Sequence, residues 1–431
     1  MDWISRYETP ISEIFSAENK LKLQIEVELT ILKALGEIGK IPKETYSVMK
    51  ELIEKEPILL ERVKEIESEI HHDIMAMVKA IAERSEKYGE YVHFGCTSQD
   101  INDTVQALQL VQAKNILLQS ILDLKKTLKN LILENQDVVQ IGRTHGQHAI
   151  PLTVGFKFAN FLYEISVAEN HLKRTTINIA KLGGAIGTFA ALGTKDVQTI
   201  ALKELGLEPA PISTQVLTRL HLVDFVFSLT TGSCVLERIA KEIRNLQRIE
   251  IDEFSEEFIP KQVGSSTMPQ KRNPHKSERI CGITRLVHAQ LNPLIETIAL
   301  EHERDLTNSV VERVSVSTSV ILYHFQLLSL TQILSKLYVN KESIERNLHF
   351  LKGKQLAERL MIELTSKIGR QKAHELLRVL SFEKDFEKAL REDETIKQIF
   401  SEEQIKELLI PETYIGLAKE ISLEIAEKFA N

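Results

Sequence analysis

The sequence predicts an all-α protein built on a bundle of long helices, with small helical units at its two ends. Three observations carry that prediction. Helix breakers are scarce: the 18 glycines and 11 prolines in 431 residues come to roughly 4% and 3%, against about 7% and about 5% in ordinary proteins. Apolar residues recur at spacings of three and four over long stretches, which marks one face of a helix. Alternating apolar and polar runs bounded by turn residues, the mark of strands, are rare.

Taken in order, residues 19–36 carry Leu21, Ile25, Leu29, Leu32 and Leu35 on one stripe, which ends at the stop signal Gly39-Lys40-Ile41-Pro42. Val63, Ile66, Ile70, Ile74, Met77 and Ile81 predict a second helix, ending near Tyr88-Gly89 and carrying His71, His72 and Asp73 close to its middle. After the turn-like His93-Phe94-Gly95-Cys96-Thr97-Ser98, a periodic stretch runs from Ile101 to about Leu133, with Thr97 or Ser98 as its N-cap. Further stretches cover about 152–182, 214–254, 276–303 and 309–338. Helices of ~30 residues or more far exceed the ~11–12-residue mean and need neighbours along most of their length, hence a bundle. Residues 225–229 and 316–330 are apolar or small on more than one face, as in helices buried within a bundle or between subunits, so an oligomer is expected. The last stretch has shorter periodic segments, dense charge at Arg391-Glu392-Asp393-Glu394 and a break at Pro411. The reading is therefore an N-terminal helical domain at 1–95, a central bundle at 96–340 and a C-terminal helical domain at 341–431, without internal repeats or low-complexity linkers.

Composition narrows the class. The chain is about three times the ~150 residues of one typical domain, so two or three folded units are expected. Lys and Arg number 54 against 61 Asp and Glu, a net charge of −7 with pI near 6.1, which argues against a nucleic-acid partner. Hydrophobic residues at 43% and charged ones at 27% are the balance of a globular protein. Cys96, Cys234 and Cys281 contain no Cys-x-x-Cys pair and suit a reducing cytoplasm. Met1-Asp2-Trp3-Ile4-Ser5-Arg6 lacks the layout of a signal peptide, and no uncharged apolar stretch reaches the ~18 residues of a membrane span. A cytoplasmic protein without a membrane partner is expected.

Three segments hold chemistry. Gly264-Ser265-Ser266-Thr267-Met268-Pro269-Gln270-Lys271-Arg272-Asn273-Pro274 interrupts two long helices with hydroxyls, cations and an amide. Asn273 can cap and Pro274 can open the following helix, placing its N–H groups and positive dipole end beside Lys271 as an anion cradle. An ordinary solvated loop is the plainer alternative, against which that polar density speaks. Gly142-Arg143-Thr144-His145-Gly146-Gln147-His148-Ala149-Ile150-Pro151 reads as another break and places an imidazole on a loop, where a pKa of ~6.5 suits proton transfer near neutrality. His145 and His148 could ligate zinc together with His71, His72 or Asp73, but no Cys pair or His-Glu-x-x-His helix supports a metal, and none is expected. In His302-Glu303-Arg304-Asp305, followed by Ser309 and Arg313, two arginines flank a hydroxyl; a guanidinium fork suits phosphate or carboxylate, with surface salt bridging as the alternative. Gly183-Gly184-Ala185-Ile186-Gly187 follows a helix and reads as a turn, not a dinucleotide site.

The 264–274 segment resembles the signature loop of the fumarase/aspartase superfamily, whose members break a C–N or C–O bond by β-elimination and release fumarate. Phe94-Gly95-Cys96-Thr97-Ser98-Gln99-Asp100-Ile101-Asn102-Asp103-Thr104 and Gly142 to Ala149 resemble the superfamily's other two active-site regions, in the same chain order. Glycine at 146, where argininosuccinate lyase, fumarase and aspartase usually have leucine, is similar to the adenylosuccinate lyase branch; the carboxymuconate-cyclising branch usually lacks the histidine at 145. Ser5-Arg6-Tyr7, Ser213-Thr214-Gln215 with Arg219, and Arg304 through Arg313 are similar to that branch too. His71 stands at the first position of what is often Arg-His-Asp, Leu220 where aspartate is common, and Gln270 where histidine is commoner, the last as in argininosuccinate lyase.

The resemblance implies an all-α bundle of the fumarase/aspartase type and cleavage of adenylosuccinate and of succinyl-carboxamide imidazole ribotide, both in purine synthesis. It implies Ser265 as general base and His145 as general acid. Lys271, Asn273 and Ser266 would stabilise the aci-carboxylate dianion that proton removal creates. Thr97, Ser98 and Gln215 would hold the succinyl part, and Arg6, Tyr7, Arg304, Ser309 and Arg313 the phosphate and sugar. His72 would contact the substrate, with His71 and Asp73 beside it. No redox or metal cofactor is required. A homotetramer is implied, with regions from three subunits at each of four active sites. Argininosuccinate lyase or another fumarate-releasing relative, a zinc hydrolase, and a non-catalytic helical scaffold are the alternatives.

Overall fold

The computed structural model describes residues 5–259, 261–262 and 264–430; the opening Met1 to Ile4, on which part of the N-terminal reading rests, lies outside them. Helices dominate. The first, α1 (Ala17–Glu37), starts where Ser16 Oγ accepts the Asn19 N–H at 3.1 Å and stops where Gly39 turns left-handed at φ 75°. Next come α2 (Thr45–Lys55), α3 (Leu60–Ile70) and α4 (Asp73–Ala82).

The single helix predicted across 63–81 is two. His71 closes α3 in the left-handed region at φ 53°, and His72 Nδ1 accepts the Met75 N–H at 3.3 Å to cap α4. The periodicity hides the break because both helices turn their stripes to one core: Val63, Ile66, Ile74, Met77 and Ile81 are all buried.

Five long helices follow: α5 (Ser98–Glu134), α6 (Val154–Arg174), then after the short α7 (Asp196–Glu204) α8 (Leu220–Leu246), α9 (His275–Glu296) and α10 (Thr307–Leu334). Only α5, at 37 residues, exceeds the predicted thirty. The surplus apolar residues at the ends of the others belong to turns and short strands, which a short apolar run fits as well as a helix. Phe254–Ser255 pairs antiparallel with Tyr338–Val339, and Ile179–Ala180 pairs parallel with Glu208–Pro209. The segment read as a loop around His145 is a hairpin of β1 (Val139–Thr144) and β2 (Gln147–Thr153). After Lys341 seven shorter helices run to Phe429 among the described residues.

The chain folds as two compact units. One takes the described residues up to Ser120, Glu169–Ser233 and Ile283–Gln326; the other takes Ile121–Ala168, Cys234–Gly282 and the described residues from Leu327 on. In the first, α1, α3, α4, α7 and the start of α5 close over Val27, Ile31, Leu35, Ile74 and Met77, with Ile101 and Leu182 in the same core. Each such side chain contributes roughly 1.5–3 kcal/mol by leaving water. In the second, the C-terminal helices bury Leu360, Leu364, Phe386, Leu390 and Ile396, and their ends are set by side-chain caps at Asp385, Asp393 and Ser401. Helices α8 and α10 are long and apolar enough to qualify as membrane spans by composition, yet 50% and 67% of their qualifying windows is buried inside the fold.

Candidate active site

His145 occupies the tip of the β1–β2 hairpin, in the second unit. Thr144 pairs with Gln147, leaving His145 and Gly146 as a two-residue connection with φ of 54° and 74°. Two successive positive φ values are what a tight hairpin of right-handed twist demands; histidine tolerates the first position better than branched residues do. The imidazole is thereby exposed on a rigid turn. Below it, Arg143 forks onto Glu253 at 2.5 and 2.9 Å, and the same buried carboxylate accepts from Gln140 at 2.6 Å and from Asn347 at 2.8 Å. Gly142 sits where the register shifts, and a Cβ there would lie 2.7 Å from the Ile150 carbonyl oxygen. His148 packs edge-on to Phe350; burial, and then the Arg143 charge, hold its pKa below the ordinary histidine value.

The signature loop lies in the same unit. Ser265 Oγ accepts two main-chain N–H groups, from Met268 at 3.1 Å and Thr267 at 3.3 Å. Donors aimed at a hydroxyl oxygen favour its ionised form. Asn273 Nδ2 donates to the Gly264 carbonyl oxygen at 3.0 Å and ties the loop's ends together; a Cβ on Gly264 would lie 2.1 Å from the Lys271 oxygen. Ser266 and Lys271 are exposed.

One expectation for this loop fails. Asn273 does not cap α9. The buried carboxylate of Glu256 does, accepting the Ser277 N–H at 2.7 Å and the Lys276 N–H at 3.3 Å. An anion already built into the helix terminus satisfies its donors and its dipole, so the terminus is no open anion cradle. The loop's remaining means of holding negative charge are its cations, Lys271 and Arg272, and its hydroxyl and amide donors.

The first unit carries the other predicted residues. Asp100, two residues beyond Ser98, is fully buried and pairs with the equally buried Lys181 at 2.7 Å. Its second oxygen accepts the Thr97 N–H at 2.8 Å and the Gly184 N–H at 3.1 Å, so it fixes the Thr97-Ser98 turn against the Gly183–Gly187 turn. Burial raises the Asp100 pKa, against the pull of Lys181. Gly187 touches the next segment so closely that a Cβ would lie 2.2 Å from the Ser213 oxygen, and Gln215 then accepts from Arg304 at 3.0 Å. Arg219 is buried between Asp103, which it meets at 3.0 and 3.3 Å, and Glu312 at 2.7 Å. A cavity of about 360 Å³ is lined by Gln99, Asp103, Arg304, Ser309 and Arg313 among others.

At the cavity's side, Arg313 approaches Asp73 at 3.8 Å, and His72 stands 3.8 Å from the same carboxylate. Exposed His71 contributes the backbone turn described above. Arg6 is exposed in a short 3₁₀ turn, Ser5–Tyr7, whose Tyr7 ring packs edge-on to Phe325 at 5.3 Å. Thr9 Oγ1 meets His324 Nδ1 at 2.7 Å and anchors the same segment. No group of three or more His, Cys, Asp or Glu suited to a metal ion occurs among the described residues. Lys181, Glu253 and Glu256 carry no signal in the sequence, and Asp100 shows there only as a member of the 94–104 segment without a role, since a charged residue inside a periodic stretch looks the same whether it is buried and paired or solvated.

The family described as Lyase matches residues 4–288, and that described as Adenylosuccinate lyase C-terminus matches residues 353–424. The adenylosuccinate lyase of Pyrococcus abyssi is 42% identical over 95% of this chain and 93% of its own. The chain belongs to the adenylosuccinate lyase family.

That membership makes it a lyase. The adenylosuccinate lyase of Methanocaldococcus jannaschii is 41% identical over 99% of this chain and 95% of its own, so the similarity reaches into the C-terminal helices. Among solved structures, a 3-carboxy-cis,cis-muconate lactonizing enzyme from Pseudomonas putida superposes with a TM-score of 0.90, covering 99% of this chain and 98% of that one at 27% identity. A fumarate lyase from Mesorhizobium sp. BNC1 shares the fold at TM-score 0.90 and 24% identity, covering 98% of each chain. The all-α, fumarase-type prediction is borne out.

Proposed function

We propose that the chain cleaves adenylosuccinate to AMP and fumarate, and succinyl-carboxamide imidazole ribotide to the free carboxamide and fumarate. The observation that carries this reading, in a chain of this family, is Ser265 with two main-chain N–H groups on its Oγ inside a loop closed by Asn273. In the proposed reaction Ser265, as the alkoxide, takes the proton from the carbon next to a substrate carboxylate. The electron pair left behind is held as an aci-carboxylate, with Lys271, Ser266 and Asn273 as its stabilising partners. That pair then becomes the fumarate double bond as the C–N bond breaks, and His145 gives a proton to the departing nitrogen.

Thr97, Ser98 and Gln215 hold the succinyl part in this proposal, with His71, His72 and Asp73 beside the substrate. Arg6, Tyr7, Arg304, Ser309 and Arg313 hold its phosphate and sugar. The homotetramer, in which three subunits contribute to each site, belongs to the same proposal. Apolar side chains left exposed on the long helices support it: Phe227 on α8, Leu286 on α9, and Val310 and Val314 on α10. The cytoplasmic location and the division at 1–95, 96–340 and 341–431 are further parts of this proposal; the family match over 353–424 supports the last segment.

The test is an ultraviolet assay with adenylosuccinate on the wild type beside Ser265→Ala and His145→Ala. Conversion by the wild type, lost in both variants, is expected. A mixture of the two variants should regain part of the activity through hybrid sites. A wild type inactive on adenylosuccinate but active on argininosuccinate would sink the substrate assignment, and two fully active variants would sink the roles.

A further inference from the structure

Lys20 lies in the first turn of α1, where a cation faces the positive end of the helix dipole and gains nothing from the helix. Its side chain is half-buried, and among the described residues its ammonium makes no hydrogen bond and no ion pair. It lines the 360 Å³ cavity together with Arg304, Ser309 and Arg313. Three cations thus share one cavity. Two carboxylates also line it, Asp103 and Glu312, but both are taken up by Arg219. The other acids near Lys20 are Asp73, which approaches Arg313 only at 3.8 Å, and Glu67. Burial, opposed by Asp73 and helped by Arg313, lowers the lysine's pKa; a desolvated cation beside a like charge gains most from an anion placed between them.

We propose that Lys20 is a third cation of the phosphate subsite, binding the nucleotide's phosphate dianion together with Arg304 and Arg313. The inference rests on the reading that this cavity takes the phosphate end of the substrate, and it adds a ligand on α1 that no sequence motif marked. Lysine suits the place as a point charge reaching one phosphate oxygen, while the two arginines supply the planar forks.

The experiment compares wild type with Lys20→Met, Lys20→Gln and Lys20→Arg, reading KM and kcat for adenylosuccinate, AMP binding by calorimetry, and the melting temperature. Both neutral variants should weaken AMP and raise KM by about ten- to a hundredfold, as loss of a charge-assisted contact does. The kcat should fall less than about threefold, because the contact is made equally in ground and transition states. Lys20→Arg should restore most of the affinity, and adenosine, which lacks the phosphate, should bind wild type and variants alike. AMP affinity within about twofold of wild type in both neutral variants would overturn the proposal. So would a loss confined to kcat, or an equal loss for adenosine. Should the wild type bind AMP in a Lys20-dependent way yet leave adenylosuccinate intact, the proposed reaction fails and the anion site stands.

Discussion

The Glu256 carboxylate accepts the Ser277 N–H at 2.7 Å, so the helix that follows the signature loop is capped from the residues preceding the loop, not from within it. The loop's two ends are therefore tied to one helix terminus. Glu256→Ala should cost about 2 kcal/mol, the penalty of leaving buried donors without an acceptor, and Glu256→Gln about half of that. Urea midpoints read the effect, and kcat should fall in the same order. An unchanged midpoint in Glu256→Ala would remove the cap from the account.

His145 and Gly146 both stand at positive φ, which separates the turn's backbone demand from its chemistry. Asparagine tolerates the left-handed region. His145→Asn should therefore keep the melting temperature of the wild type while losing kcat by about a hundredfold or more, the usual share of a general acid. Gly146→Ala has open space around its Cβ, so its cost is backbone strain alone, roughly 1–2 kcal/mol. A fully active His145→Asn would take the acid role away from this residue.

Arg219 separates two buried carboxylates, and burial already raises the pKa of Glu312. Arg219→Met should destabilise by roughly 3–5 kcal/mol, because it strands both charges. Adding Asp103→Asn and Glu312→Gln should return much of the loss, since neutral amides need no counter-charge. If the triple variant is no more stable than Arg219→Met, packing rather than charge is what Arg219 supplies.

Burial depresses the His324 pKa from its ordinary value of 6.5 to about 4, and the ring holds Thr9 and Ser120 as a neutral acceptor and donor pair. A folded-state pKa below the unfolded value means that the unfolded chain takes up the proton first. The stability is present above pH ~6.5 and is lost as pH falls toward 4, on the order of 2–3 kcal/mol in all. His324→Gln cannot titrate, so its melting temperature should fall less steeply between pH 7 and 4 than that of the wild type. Parallel curves would show that other groups carry the acid sensitivity.

Motif residues were legible wherever a chemical type is unusual for its place. The hydroxyl, lysine and asparagine density of 264–274, and the paired arginines with Ser309, have no use in a core. The supporting groups were not legible. Asp100 and Lys181 look like ordinary helix and turn residues, and only their meeting at 2.7 Å in a fully buried place shows that they hold the Thr97-Ser98 turn. The hairpin reads as a loop in the sequence because Arg143 and His148, which pair across it, break the apolar alternation that marks strands.

The sequence by itself determined the all-α class, the course of α1 and α5 and the identity of the reactive segments. Those depend on spacing along the chain and on local side-chain chemistry. Only the tertiary structure decided that α3 and α4 are separate, that Glu256 and not Asn273 caps α9, and that Lys20 shares a cavity with Arg304 and Arg313. The last two relations join residues tens to hundreds of positions apart, and the first turns a local break at His71-His72 into two helices on one shared core; the free energy that selects them, burial of charge and of apolar surface, exists only once the chain has closed on itself.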